Sequence, residues 1–176
     1  MTSTEWFRLR QDPDAPAVEE SCFDAKKYPY FTDAESFDAI DHSVVHYERE
    51  KFSPCDILFV PTFLIGDKLL ALFELLEPSM QFKGVQMYRK FKPADTTHPL
   101  FWLPYLPCVD AIHESSQIVR GKAIKLTVKL SALENRRVAH CRLPADDIWL
   151  LSLEAAECLL RRQPIGILLE KVFTQP

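Results

Sequence analysis

Apolar and polar positions in the last part of the chain follow the order of a strand, a helix and a second strand. Apolar residues up to Leu151 lead into Ser152, whose hydroxyl is suited to cap a helix predicted from Leu153 to Arg162. A turn then precedes an alternating strand from Ile167 to Phe173. The buried stripe predicted for this helix consists of Leu153, Ala156, Leu159 and Leu160.

An earlier segment repeats this order of elements. The short apolar stretch from Phe63 to Ile65 precedes a helix predicted from Lys68 to Leu76, and a strand from Gly84 to Tyr88 follows. Asp67 is predicted to cap this helix. Apolar residues recur at the i, i+3, i+4 and i+7 spacing of one helix face, namely Leu69, Leu72, Phe73 and Leu76, and Leu70 and Leu75 are predicted to widen it.

The two units can be aligned at both ends. Ile65-Gly66 matches Leu151-Ser152, and Gly84-Val85 matches Gly166-Ile167. The matched positions are 18 residues apart in the first unit and 14 in the second, which predicts an extra helical turn in the first. A duplication of one unit explains this similarity. Two segments that arrived independently at the same local structure explain it equally.

Strands are also predicted outside the two units. Trp6 to Arg10 alternates weakly, and Asp56 to Val60 is a short apolar run between prolines. Ile124 to Leu130 alternates strictly, which predicts one half-buried antiparallel strand with two lysines and a threonine on its polar face. Arg137 to Leu143 is predicted to be a further strand.

The remaining segments carry helix-breaking or ambiguous patterns. A short helix is predicted from Ala34 to Ile40, and Ser43 to Tyr47 fits a strand, although its periodicity leaves the type of element open. Prolines recur between Phe91 and Pro107 at a spacing that excludes a regular helix. This segment is therefore predicted to be extended or a long surface loop.

Together these elements predict an α+β fold, with a mainly antiparallel or mixed sheet, two principal helices and two similar strand–helix–strand units. Residues 1–176 are predicted to form a single domain. Within it we distinguish an acidic N-terminal segment (1–53), the first unit (54–90), a proline/aromatic segment with a strand (91–136) and the second unit (137–173).

The composition indicates a folded protein of a reducing compartment. The apolar fraction of 47% is that of a globular protein. The five cysteines are widely spaced and form no C-x-x-C pair, which argues against a disulfide framework. No apolar run reaches the roughly 18 residues of a membrane span, and no secretory signal is visible. The sequence therefore predicts a cytoplasmic protein without a membrane partner.

The net charge of −4 conceals an acidic N-terminal third. Between Asp12 and Glu50, 11 acids face 3 bases, so this stretch carries −8 and the rest of the chain about +4. The strong basic stripe of a nucleic-acid binder is absent, so no nucleic-acid partner is expected. An acidic face can steer a basic protein partner by long-range attraction, although an ordinary solvated surface explains the same charges.

One group of residues is a candidate for metal binding. Asp38, Asp41, His42 and His46 lie close in sequence, and on a helix the i, i+4 spacing would place both imidazoles on one face. On a strand, the two histidines would lie about 13 Å apart, too far to share a metal ion. A metal-assisted enzyme is therefore an alternative, whereas the favoured interpretation includes no cofactor.

Two cysteines have a histidine nearby in sequence. Cys141 follows His140 directly, and Cys108 lies five positions before His113. Nothing in the sequence brings a base to either thiol or lowers its pKa, and adjacent residues of a strand point to opposite faces. A thiol nucleophile is therefore not predicted.

The proline–aromatic segment contains a candidate binding surface. It includes Phe101, Trp102 and Tyr105, and Trp and Tyr are enriched among the residues that dominate protein interfaces. The alternative is that these aromatic residues close one end of the core.

Three sequence patterns stand out in the part of the chain that follows the acidic segment. They are Pro54-Cys55-Asp56-Ile57 through Leu76 with Gly84-Val85-Gln86-Met87-Tyr88, then Tyr105-Leu106-Pro107-Cys108-Val109-Asp110-Ala111-Ile112, and finally Leu151-Ser152-Leu153-Glu154-Ala155-Ala156-Glu157 with Gly166-Ile167-Leu168-Leu169. Together they resemble a family of predicted immunity proteins of bacterial polymorphic toxin systems. The resemblance covers roughly residues 54–173, about two thirds of the chain.

The resemblance implies a non-catalytic protein that binds and neutralises a cognate toxin domain. Asp38 and Asp41 of the acidic segment, together with the aromatic residues Phe101, Trp102 and Tyr105, are the predicted contact residues. A structural or adaptor subunit of a secretion-linked complex is the second alternative, because it too is a binding function.

Overall fold

The computed structural model describes residues 5–14, 31–41, 43–47, 55–60, 62–89 and 99–176, and for residues 44–47 and 89 it describes the backbone. The fold is α+β with mostly antiparallel sheets, as the sequence predicts. Its helices are α1 (Ala34–Asp38), α2 (Asp67–Leu76) and α3 (Leu153–Leu160), with a 3₁₀-helix at Leu130–Leu133. None of the helices in the described ranges is both long enough and apolar enough to cross a membrane.

Thirteen strands are assigned within the described residues. In chain order they are β1 (Trp6–Gln11), β2 (Ser43–Tyr47), β3 (Ile57–Leu58), β4 (Leu64–Gly66), β5 (Gln81–Arg89), β6 (Leu100–Tyr105), β7 (Gln117–Val119), β8 (Lys122–Lys125), β9 (Thr127–Lys129), β10 (Val138–Leu143), β11 (Asp146–Ser152), β12 (Ile167–Lys171) and β13 (Phe173–Gln175). They form a four-stranded sheet, a five-stranded sheet and two two-stranded pairs.

The two large sheets differ in size and in the direction of one strand. The four-stranded sheet has the order β10-β11-β1-β12 and is antiparallel throughout. The five-stranded sheet has the order β2-β5-β6-β4-β3, and only β2 runs parallel to its neighbour β5. In the smaller pairs, β7 and β8 form an antiparallel hairpin, whereas β9 and β13 are parallel.

Each strand–helix–strand unit surrounds a strand from elsewhere in the chain. In the first unit, β6 lies between β4 and β5, and in the second unit β1 lies between β11 and β12. β6 follows the first unit directly in the chain, whereas β1 lies more than a hundred residues before β11. The second unit therefore completes its sheet with a strand that is distant in sequence.

The strand register confirms one end of the predicted alignment and corrects the other. Gly66 is paired with Phe101 and Gly84 with the next residue, Trp102. In the second unit, Ser152 is paired with Trp6 and Lys171 with the next residue, Phe7. Gly66 thus corresponds to Ser152, as predicted, but Gly84 corresponds to Lys171. The match of Gly84 with Gly166 is wrong, because Gly84 lies within a strand.

Gly166 instead shapes the loop that joins α3 to β12. Its φ of +87° lies in the left-handed region that favours glycine, and a Cβ atom there would lie 2.7 Å from the Sγ of Cys55. The neighbouring residue Ile165 makes two hydrogen bonds with Asp56. The carbonyl oxygen of Ile165 accepts from the backbone nitrogen of Asp56 at 3.0 Å, and the backbone nitrogen of Ile165 donates to the Asp56 carboxylate at 2.6 Å. This loop therefore fastens the second unit to the segment before β3.

One apolar cluster is shared by both units. It contains the predicted buried face of α2, residues of α3 and residues of both large sheets, among them Ile65 and Trp149. All four predicted face residues of α2 are buried, whereas Leu75 is exposed. In α3 the buried residues are Ala155, Ala156 and Leu159, and the predicted stripe residues Leu153 and Leu160 face solvent.

The helix caps agree with the sequence in one unit and not in the other. The hydroxyl of Ser152 accepts a hydrogen bond from the backbone nitrogen of Ala155 at 3.3 Å, which confirms the predicted cap of α3. Asp67 is the first helical residue of α2 rather than its cap, and the residue before it, Gly66, has no side chain to donate or accept. The carboxylate of Asp67 instead accepts a hydrogen bond from Trp102.

The alternating segment from Ile124 to Leu130 is not one strand. It divides at Leu126 into β8, which pairs with β7, and β9, which pairs in parallel with β13. Ile124 on the predicted apolar face is exposed, and Thr127 on the predicted polar face is buried. The alternation of buried and exposed residues is broken because β8 and β9 pair with different strands and bury different faces.

Candidate functional site

The acidic residues around α1 form an exposed surface, which we call the acidic surface. Its members are Asp33, Glu35, Asp38 and Asp41, all exposed. No basic residue occurs between Thr32 and Asp41. The predicted contact residues Asp38 and Asp41 thus lie together on the outside of the protein, with two further carboxylates beside them.

Local hydrogen bonds explain why such a short helix forms at this point. The carboxylate of Asp33 accepts a hydrogen bond from the backbone nitrogen of Ser36 at 2.8 Å, and the Ser36 hydroxyl accepts one from the backbone nitrogen of Asp33 at 3.1 Å. This reciprocal pair is a capping box. The hydrogen bonds from Ser36, first from its backbone and then from its side chain, lower the pKa of Asp33. Asp33 therefore stays charged while it caps the helix.

A single buried side chain holds the acidic surface in place. Phe37 is fully buried and packs in a second apolar cluster with residues of β3 to β6. Its ring stacks on Tyr105, with centroids 5.2 Å apart, and Phe31 meets both rings edge-on. Lys83 lies 5.6 Å from the centre of the same ring and donates to the carbonyl oxygen of Asp38 at 3.3 Å.

The predicted aromatic contacts occupy three different environments. Phe101 is 3% exposed and packs inside the second apolar cluster, so it offers almost no surface to a partner. Tyr105 is half-buried on the same side of β6, where it supports Phe37. Trp102 alternates to the other side of β6, where its indole nitrogen donates to Asp67 at 2.8 Å. Tyr105 is connected to the acidic surface through its stacking contact with Phe37.

The proposed metal ligands are brought together only in part. Ser43–Tyr47 is a strand in which His46 is paired with Tyr88, so the helical interpretation of the histidine spacing does not apply. His42 and the side chain of His46 lie outside the described residues. Among the side chains that are described, no group of three potential metal ligands comes together.

A second polar cluster joins residues that the sequence did not connect. The Nδ1 atom of His140 lies 3.5 Å from the Sγ of Cys108 and 3.0 Å from the carbonyl oxygen of Leu106. Its Nε2 atom lies 2.8 Å from the carboxylate of Asp147, which also accepts a hydrogen bond from Arg142. The order cysteine, histidine, aspartate is that of a thiol nucleophile with its base and the residue that orients the base.

The hydrogen bonds of this cluster favour a structural role over a catalytic one. The Leu106 carbonyl and the Asp147 carboxylate can only accept, so the ring of His140 satisfies both when each of its nitrogens carries a proton. A ring in that state has no free electron pair with which to take the proton of Cys108. Burial raises the pKa of the Cys108 thiol, which further reduces its thiolate fraction.

The charge of Asp147 suits the same structural role. Burial alone would raise the pKa of Asp147, but the hydrogen bond and charge of His140, followed by those of Arg142, outweigh burial, and the pKa is lowered. His140 also stacks on Trp149 with ring centroids 4.3 Å apart, and Trp149 stacks in turn on Phe63. The cluster therefore ties the segment that follows β6 to the β10–β11 hairpin.

The sequence carries a local signal for part of this cluster. The strand ending at Pro144 and the apolar run that includes Trp149 indicate a hairpin, and a hairpin places His140 opposite Trp149. Asp147 then falls near the imidazole on the neighbouring strand. Contact with Cys108 depends on how the segment after β6 packs, which no local pattern indicates.

Comparisons with known proteins leave the family undetermined. Neither the family models nor the curated proteins that were searched match the chain. The resemblance of residues 54–173 to immunity proteins therefore stays a prediction. In the described residues, the acidic surface is the candidate site that the sequence predicted and the fold presents to solvent.

Proposed function

We propose that this chain is a non-catalytic, immunity-type protein that binds a basic toxin domain through the acidic surface and thereby neutralises it. The observation that carries the proposal is the burial of Phe37 beneath four exposed carboxylates. Solvated acids on a mobile loop would lose conformational freedom when a partner binds. Acids on an anchored helix lose less, so more of the attraction contributes to affinity.

The charge of the acidic surface suits recognition by attraction. The four carboxylates outnumber the neighbouring Lys83, whose amine donates to the Asp38 carbonyl oxygen. Their excess negative charge creates a local potential, which accelerates encounter with a basic partner and weakens as salt is added. A toxin that acts on nucleic acid carries a basic face for its own substrate, and the same face is complementary to the acidic surface. Binding there would block access to the substrate.

The resemblance to immunity proteins supports the same proposal from a separate part of the chain. Its patterns lie on the two strand–helix–strand units and on the segment after β6, where Ala111 is buried and Asp110 pairs with Lys129 at 2.9 Å. These residues build the scaffold. The acidic surface lies before them and would supply the specificity for one toxin.

A cytoplasmic location is part of the proposal. Among the cysteines that the structure describes, Cys108, Cys141 and Cys158 are free thiols. Free thiols are usual in a reducing compartment, where an immunity protein protects the cell that makes the toxin.

The test is co-expression of this chain with the product of each neighbouring gene in a heterologous bacterium. We expect one product to arrest growth alone, and this chain to restore growth and to co-purify with that product. The double variant Asp38→Lys with Asp41→Lys should slow association and reduce its salt dependence. The matched control, Glu114→Lys with Glu134→Lys, makes the same change of net charge at exposed positions on other elements.

The results also separate the two alternatives. A non-toxic secretion component as the stoichiometric partner would replace the immunity function by the adaptor function. Absence of any partner together with stoichiometric metal in untagged, purified protein would support the enzyme based on Asp38, Asp41, His42 and His46. Equal association rates at low salt for the acidic-surface variant and its control would remove the acidic surface from the proposal.

A further inference from the structure

The β7–β8 hairpin carries apolar side chains on its outside. Its strands are joined by Arg120 and Gly121, with φ angles of +50° and +77°, which is the backbone of a tight two-residue hairpin turn. Large apolar residues on the hairpin and on the adjacent β13 are between 46% and 64% exposed, namely Ile118, Val119, Ile124 and Phe173. A grouped set of exposed apolar residues indicates a contact surface.

The same surface is positively charged. Arg120, Lys122 and Lys125 are all exposed, and no acidic residue occurs between Ser115 and Leu133. Lys125 lies 4.4 Å from the centre of the Phe173 ring, which places β13 beside the hairpin. Val119, Lys122 and Ile124 lie on one face of the hairpin, and Ile118 and Lys125 lie on the other. We call these five residues, together with Arg120 at the turn and Phe173, the hairpin surface.

The hairpin is held firmly against the rest of the protein. The backbone nitrogen of Ala145 donates to the carbonyl oxygen of Gly121 at 3.1 Å. The backbone nitrogen of Ala123 donates to the carboxylate of Asp146 at 3.0 Å, and the Ala123 carbonyl accepts from Arg8 at 3.3 Å. Because its inner edge is fixed in this way, the outer residues cannot fold back and cover one another.

We infer that the hairpin surface binds the face of a membrane that contains anionic phospholipid. Basic side chains attract the lipid head groups, and apolar side chains between them enter the boundary with the acyl chains. A protein partner is less well matched, because protein interfaces are poor in Lys and owe most of their affinity to Trp, Tyr and Arg. The predicted absence of a membrane partner rested on the lack of a spanning segment, and surface binding requires none.

Vesicle flotation tests the inference with the full chain. We expect the protein to float with vesicles of phosphatidylcholine and phosphatidylglycerol at low salt, and to remain behind with phosphatidylcholine alone. Lys122→Glu with Lys125→Glu should weaken binding by at least about twenty-five-fold, because each basic residue near the membrane contributes about a fivefold attraction and the new acids add repulsion. Val119→Thr with Ile124→Thr keeps strand-forming residues and should weaken binding even at low salt.

Matched variants decide whether the hairpin surface is responsible. Arg161→Glu with Arg162→Glu makes the same change of charge on exposed residues after α3, and Leu160→Thr with Ile165→Thr removes exposed apolar residues there. Circular dichroism and melting confirm that each variant is folded. Absence of flotation with anionic vesicles, or equal losses in hairpin and control variants, would overturn the inference. Loss of an acidic protein partner by the hairpin variants, without vesicle binding, would assign the surface to that partner instead.

Discussion

Arg8 and Asp146 form a buried ion pair in which Nη2 of the guanidinium lies 2.6 Å from the carboxylate. Arg8 is on β1 and Asp146 begins β11, so the pair joins this N-terminal strand to its neighbour in the sheet. The second carboxylate oxygen accepts a hydrogen bond from Ala123 at the same point, and Arg8 donates to the Ala123 carbonyl. One ionic contact therefore connects the N-terminal strand, the β10–β11 hairpin and the β7–β8 hairpin.

Loss of Arg8 should be costly because it leaves a mostly buried carboxylate without its cation. We expect Arg8→Met to lower the free energy of unfolding by about 3 kcal/mol. The control lies on the same strand, since Arg10 pairs with Glu170 at 2.8 Å with both side chains nearly half exposed. Arg10→Met should cost less than about 1 kcal/mol. Urea unfolding measures both, and equal losses would contradict the structural role of the buried pair.

Truncation of Phe37 should release the acidic surface from the protein. Phe37→Ala removes a fully buried ring, which costs about 3 kcal/mol if α1 unfolds together with the rest of the chain. If α1 detaches locally, hydrogen exchange of residues 34–39 should accelerate while the global stability changes little. Tyr105→Phe retains the stacked ring and serves as the control. Unchanged exchange and unchanged stability in Phe37→Ala would show that Phe37 does not anchor α1.

The thiol of Cys108 should be less reactive than the nearby His140 and Asp147 would suggest. Cys108 is exposed as a residue, but partial burial of its thiol raises the pKa. At about pH 8 it should therefore react with iodoacetamide more slowly than a cysteine in an unstructured peptide. Burial raises the pKa of Cys141 to about 11, and that thiol should react only after unfolding. Mass spectrometry of the modified peptides measures both rates. Faster reaction at Cys108 than in the peptide, abolished by His140→Gln, would instead indicate an activated nucleophile.

The carboxylate of Asp147 should make stability depend on acid pH. Its pKa is lower in the folded chain than the ordinary 3.8, so it contributes stability above that value and loses the contribution as pH falls through the folded pKa. Asp147→Asn should therefore cost about 1 kcal/mol near neutral pH, given that the group is 39% exposed, and the difference from the parent should shrink below pH 3.8. Urea unfolding across this range measures it, with Glu134→Gln as an exposed control. A difference that stays constant with pH would contradict the assignment.

The sequence predicted best where one local period determines which residues are buried. The i, i+3, i+4, i+7 pattern of α2 identifies its buried face, because a helix packed on one side repeats every 3.6 residues. The end of each unit was harder to place. Gly84 and Gly166 look alike in sequence, yet one lies in a strand and the other has a positive φ, and only pairing with a distant strand separates them.

Long-range pairing also explains what the sequence missed. The extended interpretation of the proline-rich segment is confirmed for β6, but its place in the middle of the five-stranded sheet is not predictable from the local pattern. Proline lacks a backbone N–H, so it is tolerated in a strand where one side has no partner. Pro104 is paired with Phe82 of β5 on one side, and on the other side the pairing with β4 extends only to Trp102 and Phe101. For the candidate site, the exposed acids were predictable from charge alone. The role of Phe37 was not, because its partners Phe31 and Tyr105 come from separate parts of the chain.

The position of β1 between β11 and β12 has a consequence for how the protein is made. Of the described strands β1 is synthesised first, but its neighbours β11 and β12 follow more than a hundred residues later, a delay of roughly ten seconds at the usual pace of translation. During that interval the first unit can close around β6, while β1 has no sheet to join. Long-range pairing of this kind slows folding. The strand that leaves the ribosome first is thus among the last to reach its place.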